Sequence, residues 1–166
     1  MKAARKVVQA DLQLCLSLCV TREFTTLENL WRYAELSREL NAGIVQILEP
    51  RASGRYANTD VELTGVQVEM LRDFYLSMNT ERVNRSYPLF QYPGYHQRKY
   101  GCFGAGLRFL YMDPCGNLHA CPFCRNPMGN CLTGEISNLI KNTQQEGCLA
   151  FQMAPADHLQ TYSTKV

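Results

Sequence analysis

At 166 residues, with 46% hydrophobic and 19% charged side chains, the chain is long enough for one ordinary domain or two small ones, and its balance excludes a disordered or membrane-embedded protein. A formal charge of +2, with no run of lysine and arginine interleaved with aromatic residues, excludes a nucleic-acid footprint and leaves no partner legible in charge. The anomaly is in the cysteines, of which there are eight.

Lys2, Arg5 and Lys6 open the chain, but the apolar stretch behind them is interrupted by Gln9, Asp11 and Gln13. Neither a secretory signal nor a membrane helix of about 20 apolar residues is predicted, so no membrane partner is expected. A cytoplasmic protein keeps its thiols reduced, which makes the cysteines thiolate ligands or buried thiols rather than disulfides.

Leu12 to Thr21 places Leu12, Leu14, Leu16, Leu18 and Val20 on one face and Cys15 and Cys19 on the other. Apolar on both faces, it reads as a buried parallel strand in which the two thiols are small core side chains. Thr25 with Glu28 forms a capping box, and Leu27, Leu30, Trp31, Ala34 and Leu40 form a helical stripe ending at Gly43. Ile44 to Leu48 is a second apolar strand, residues 49–58 are a polar loop, and Thr64 caps a helix with the stripe Val66, Met70, Leu71, Phe74 and Met78. Strand, helix, strand, helix calls for a parallel sheet with right-handed crossovers. Two such units do not close a barrel, so this half is expected to belong to a larger α/β domain or to one completed by another chain, with exposed apolar edges and poor solubility alone.

From about Val83 tyrosine, proline and glycine dominate, which predicts a loop and a domain boundary, with His96, Arg98 and Lys99 in a solvated stretch. Arg108 to Asp113 and Leu118 to Cys121 read as a hairpin around Pro114-Cys115-Gly116-Asn117, with His119 a packed or surface histidine. A helix from about Gly134 to Glu146 turns Ile136, Leu139 and Ile140 inward and ends at Gly147.

Six of the eight cysteines fall between Cys102 and Cys148. Cys15 and Cys19 are about 13 Å apart along one strand and cannot share a cluster, and Cys115 is about 20 Å from Cys121 if the hairpin arm is extended. Cys121-Pro122-Phe123-Cys124 is a metal knuckle followed by a loop, not the helix that opens a thioredoxin-like redox pair. Cys102 stands in a glycine-rich segment, Gly101 to Gly106, that can fold close to a bulky cofactor and aim amides at its sulfurs. Cys148 completes the set if the helix, about 18 Å long, packs back across the hairpin. It is preferred to Cys131, which would make one short loop present three ligands. Four thiolates also suit zinc, and a zinc knuckle that only holds a small domain together is the alternative on spacing alone.

Cys102, thirteen residues, Gly116, four residues and Cys121 resemble the Cys-x(9 to 15)-Gly-x4-Cys opening of the SPASM and twitch extensions of radical S-adenosylmethionine proteins. Gly129-Asn130 followed by a helix and a late cysteine is also similar, and the strand-helix units look like late strands of that family's partial barrel. The resemblance implies an α/β chain: residues 1–83 form part of a (β/α) barrel as two βα units, and residues 84–166 form a small Cys-rich hairpin-plus-helix domain. It moves the metal toward one auxiliary 4Fe-4S cluster on Cys102, Cys121, Cys124 and Cys148, because the further Cys-x2-Cys-x5-Cys-x3-Cys of a two-cluster SPASM unit is missing. It also implies that Gly104 and Gly106 amides tune the cluster.

The family's Cys-x3-Cys-x2-Cys, which holds the cluster that cleaves S-adenosylmethionine, is absent; Cys15-x3-Cys19 is followed at the third position by Arg22. The chain therefore resembles a carboxyl-terminal part, binding S-adenosylmethionine only within a complete barrel, with the amino-terminal barrel half or another subunit as partner and a small molecule or peptide as substrate. Ligands of such barrels sit beyond the carboxyl ends of the strands, where Thr21, Arg22, Glu49 and Arg51 are the matching positions. The alternative is a non-enzymatic zinc or iron-sulfur module for partner binding or electron transfer.

Overall fold

The computed structural model describes residues 2–102, 104, 106–124, 126–148 and 150–151, arranged in two compact units divided between Gly94 and Tyr95. Among the described residues no helix is long and apolar enough to cross a membrane.

The first unit is mixed α/β. Helix α1 (Lys2–Gln9), strand β1 (Cys15–Cys19), α2 (Leu27–Glu39), β2 (Ile44–Leu48), α3 (Gly65–Thr80) and β3 (Leu89–Gln91) follow one another, and the strands form a parallel sheet in the order β1-β2-β3. Among the described residues this sheet stays open and does not close into a barrel. Two strands are expected from the sequence and three are found. The third carries no strand signal of its own, because Leu89-Phe90-Gln91 is too short to show a period and lies between Pro88 and Pro93. Its register on β2 (Ile44 beside Leu89, Gln46 beside Gln91) holds residues 84–94 in the first unit, past the expected boundary.

The core lies on one face of the sheet. Leu14, Leu18, Val20, Val45, Ile47 and Phe90 are buried there against Leu30 and Ala34 of α2 and Leu71, Phe74 and Met78 of α3. Phe74 joins the layers, meeting Trp31 edge-on at 5.6 Å and Phe90 at 5.5 Å. α1, an addition to the expected elements, lays Ala4, Val7 and Val8 on the cluster of Leu14, Leu40 and Ala42. The opposite face is open and runs in cross-strand rows: Cys15, Ile44 and Leu89; Ser17, Gln46 and Gln91; Cys19 and Leu48. Cys15 and Cys19 are exposed, which corrects the expectation of a strand buried on both faces.

Two caps show how local chemistry sets boundaries. At α3 the box is complete: Thr64 Oγ1 accepts from Gln67 N at 3.3 Å, while Gln67 Oε1 accepts from Thr64 N at 3.1 Å. At α2 the cap is Thr26, which accepts from Asn29 N at 3.2 Å, and not the expected Thr25, whose hydroxyl donates to Thr21 O at 2.7 Å.

The second unit contains most of α4 (Pro93–Tyr100), a small antiparallel sheet β4 (Tyr111–Met112), β5 (Asn117–His119) and β6 (Gly129–Asn130), and α5 (Ile136–Glu146). The hairpin β4-β5 is the one expected, shortened; α4 and β6 are additions. His96, Arg98 and Lys99 thus lie on a helix rather than in a loop, which Pro93 can open because its missing N–H would have no helical partner there.

Candidate metal centre

The hairpin positions the first two thiols. Asp113 organises its turn: Oδ1 accepts from the Cys115 and Asn117 amides at 2.9 Å each, and Oδ2 accepts from Asn117 Nδ2 at 3.0 Å. The Asn117 side-chain and backbone donors, opposed by some desolvation, hold the carboxyl down to about 2. The arm then runs through Ala120, fully buried, into Cys121. Cys124 N donates to Cys121 O at 3.1 Å, closing the Cys-x-x-Cys turn, and the nearby Phe123 and Cys124 amides favour the Cys121 thiolate. Amides directed at a thiolate are how a knuckle stabilises a metal-bound sulfur.

Cys102 arrives from α4. Gly101 stops that helix with φ +82°, a conformation that disfavours other residues, and its N–H bonds Gln97 O at 3.0 Å. Cys102 is buried, its N–H bonds Phe151 O at 3.1 Å, and Gln97 Nε2 lies 3.9 Å from its sulfur. Cys148 arrives from α5, whose Thr143 and Leu139 lie against Gly106, Gly129 and Gly134. Gly106, at φ +75°, lies so close that a Cβ would stand 2.6 Å from Thr143 O, and a Cβ on Gly129 would meet Leu139 at 2.4 Å. Only glycine permits both the backbone angle and the helix contact at Gly106.

Cys121, Cys124 and Cys148 therefore pack, with Phe151, around buried Cys102 and Ala120. These are the four thiols the sequence selects. Cys131 is outside the gathering, its amide committed to Gly116 O at 2.8 Å, and Cys115 is exposed. Burial pushes the Cys121 thiol up; the two amides pull it down, and Cys148 and Cys124 push it up again. Metal binding at such a nest displaces protons. Among the described residues no three His, Cys, Asp or Glu side chains are placed to hold a single metal ion. The donor type, four cysteine sulfurs, is the one that thiolate-bound metals and iron-sulfur groups take.

One expectation about the glycine loop is corrected. The Gly106 amide bonds Ala120 O at 3.0 Å and Phe109 O at 3.1 Å, so it anchors the loop rather than facing sulfur. Phe103 and Ala105 of this loop, and Arg125 after the knuckle, lie outside the described residues. Gln97 and Phe151 are contacts of Cys102 beyond those expected from the sequence. Gln97 was findable, since a helix opened by Pro93 and stopped by Gly101 places it one turn before Cys102.

Thr21 and Arg22 follow the carboxyl end of β1, and Glu49 and Arg51 that of β2. Arg22 is engaged there: its guanidinium binds both oxygens of Asp60 and the Glu62 carbonyl, and its own carbonyl accepts from Gln67 Nε2 at 2.7 Å. Thr21 builds the turn after β1, its hydroxyl accepting from Phe24 N at 3.3 Å and its carbonyl from Thr25 N at 2.9 Å. Glu49 accepts from the Tyr92 hydroxyl at 2.5 Å. Arg51 follows two residues on, its carbonyl accepting from Ser53 N at 2.7 Å. His119 is buried, with Nε2 3.4 Å from Asp113 Oδ2 and its ring tilted against Tyr111. Compared with known protein families and with curated proteins, the chain matches none.

Proposed function

We propose that the second unit holds one auxiliary four-iron, four-sulfide cluster through Cys102, Cys121, Cys124 and Cys148, and that the chain acts as the carboxyl-terminal part of a cytoplasmic radical S-adenosylmethionine enzyme. The observation that carries this reading is the packing of those four thiols, drawn from three separate elements, around Ala120. When bound, such a cluster supplies a one-electron relay or an anchoring iron for substrate.

The chain's own part is to hold and tune. The Phe123 and Cys124 amides stabilise negative charge on Cys121, Gln97 does so at Cys102, and α5 delivers Cys148. The first unit, in this reading, is a stretch of (β/α) barrel with Thr21, Arg22, Glu49 and Arg51 toward the ligand end. Cleavage of S-adenosylmethionine is not expected from this chain alone, because Cys15 and Cys19 lie four positions apart on an exposed sheet face. The substrate, small molecule or peptide, would be completed by the partner's share of the site.

Anaerobic purification with iron, sulfide and zinc analysis tests the proposal. About four irons and four sulfides per chain, with thiolate-to-iron absorption in the visible, are expected. About one zinc and no sulfide would sink it. That outcome would favour a second reading, a non-enzymatic metal-stabilised module for partner binding or electron transfer, to which the commitment of Arg22 to Asp60 and Glu62 already lends support.

A further inference from the structure

Cys102, Cys121, Cys124 and Cys148 enter the nest, and the two clustered cysteines left over, Cys115 and Cys131, are brought to one another by the pairing of β5 with β6. Asn117 is paired with Asn130, and the ladder continues one residue outward, where Cys131 N donates to Gly116 O at 2.8 Å. Residues opposed in this way have α carbons about 5.5 Å apart. Cys115 is one chain step of about 3.8 Å from Gly116, which puts the α carbons of Cys115 and Cys131 about 6.5 Å apart. That separation is within the range of about 4.4–6.8 Å that a disulfide spans.

The surroundings hold the pair at that distance. Asn130 Nδ2 donates to Cys115 O at 2.9 Å, tying the turn to β6, and Asp113 Oδ1 accepts from Cys115 N at 2.9 Å, fixing the turn itself. Gly116 has no side chain to wedge the segments apart; a Cβ there would stand 2.7 Å from Leu132 Cγ. Its φ of +84° also interrupts the strand alternation that would send the side chains of Cys115 and Cys131 to opposite faces. Cys115 is exposed, Cys131 is half-buried, and both are free thiols.

We propose that Cys115 and Cys131 form a dithiol site that low-molecular-weight disulfides of the glutathione type oxidise reversibly. The exposed Cys115 thiolate attacks the small disulfide, giving a mixed disulfide and releasing one small thiol. The Cys131 thiolate then displaces the second, closing the bond between Cys115 and Cys131. The protein gives up two electrons and two protons, and both leave with the two small thiols. The bond would join the ends of residues 116–130, the segment that carries Cys121 and Cys124, and so hold the knuckle together whatever group those thiols bind. A compartment that keeps thiols reduced reserves such bonds for transient, redox-sensing use, and exposed disulfides are the labile ones. Turn and strand geometry alone place the pair, so it stands whether or not the metal reading does.

The purified chain, equilibrated anaerobically in glutathione buffers stepped from reducing to oxidising, has its remaining thiols blocked with a maleimide and its non-reduced peptides mapped by mass. One intramolecular bridge between Cys115 and Cys131 is expected, fully reversed on return to the reducing buffer. Cys15 and Cys19, exposed but about 13 Å apart along β1, should take up glutathione without bridging. In Cys131→Ser the second displacement is lost, so Cys115 should retain glutathione; in Cys115→Ser the bridge should be absent. The Met128 and Cys131 amides, which bond across to Leu118 O and Gly116 O, should exchange about a hundredfold more slowly in the oxidised chain, the factor that closing a loop of this length gives. The peptide map of the unaltered chain decides the matter even if a variant folds poorly. Glutathione kept on Cys115 of that chain while Cys131 is still alkylated, a bridge from Cys131 to Cys121 or Cys124, or amide exchange unchanged by oxidation would overturn the proposal.

Discussion

Cys148 and Cys131 are both half-buried thiols late in the chain, and spacing alone hardly separates them. Their surroundings do, since Cys148 packs beside Cys121 and Cys102 while Cys131 is held away by its amide bond to Gly116. Cys148→Ala is therefore expected to abolish retention of iron and sulfide through gel filtration, whereas Cys131→Ala retains both; equal loss in the two variants would show the ligand set to be wrong. Asp113 makes a second, pH-dependent prediction. Its folded value of about 2 lies below the ordinary carboxylate value, so the stability it contributes is present above pH about 4 and is lost as pH falls toward 2. Exchange of the Cys115 and Asn117 amide hydrogens should accelerate over that window beyond the intrinsic pH trend. In Asp113→Asn, exchange should be faster already at neutral pH and lack the acid step.

Elements differ in how much of their stability is local, and that difference decides which of them were legible in the sequence. α3 is the local case: Thr64→Ala removes the cap that accepts from Gln67 N and should lower stability by about 1 kcal/mol in denaturant titration, with Thr64→Ser close to neutral. The same Thr64, the stripe of Leu71, Phe74 and Met78, and the apolar run of β2 could be read directly, and the elements formed where they were expected. β3 and β6 could not. Three and two residues long, they exist because β2 and β5 offer a hydrogen-bonding edge, not because Leu89-Phe90-Gln91 or Gly129-Asn130 prefer a strand. α1 escaped because its apolar Ala4, Val7 and Val8 are too few to show a period among lysines and arginine, and only contact with Leu14 and Leu40 gives them meaning. At the metal centre the cysteine spacing was visible, while the packing of Phe151 beside Cys102 was not, because no spacing or period announces it.

At the scale of the whole molecule the two units are built on different terms. The first has an aromatic and aliphatic core in which Trp31, Phe74 and Phe90 interlock, while among the described residues of the second only Cys102, Leu118 and Ala120 are buried apolar side chains. So small a core does not ordinarily sustain a fold without a staple such as a metal. If the thiol nest is that staple, metal binding energy is folding energy for the second unit alone. The chain has a single tryptophan, Trp31, and it lies in the first unit beside Phe74 and Tyr87, so its fluorescence reports that unit selectively. Anaerobic removal of the metal by a chelator should leave the Trp31 emission and its melting transition in place. Amide exchange across residues 111–146 should rise toward the unprotected rate, and the heat capacity trace should lose its second transition. A chelator that shifts the Trp31 transition as strongly as the exchange in the second unit would mean that the metal stabilises the chain as one cooperative body, and the assignment of the staple to the second unit would fall.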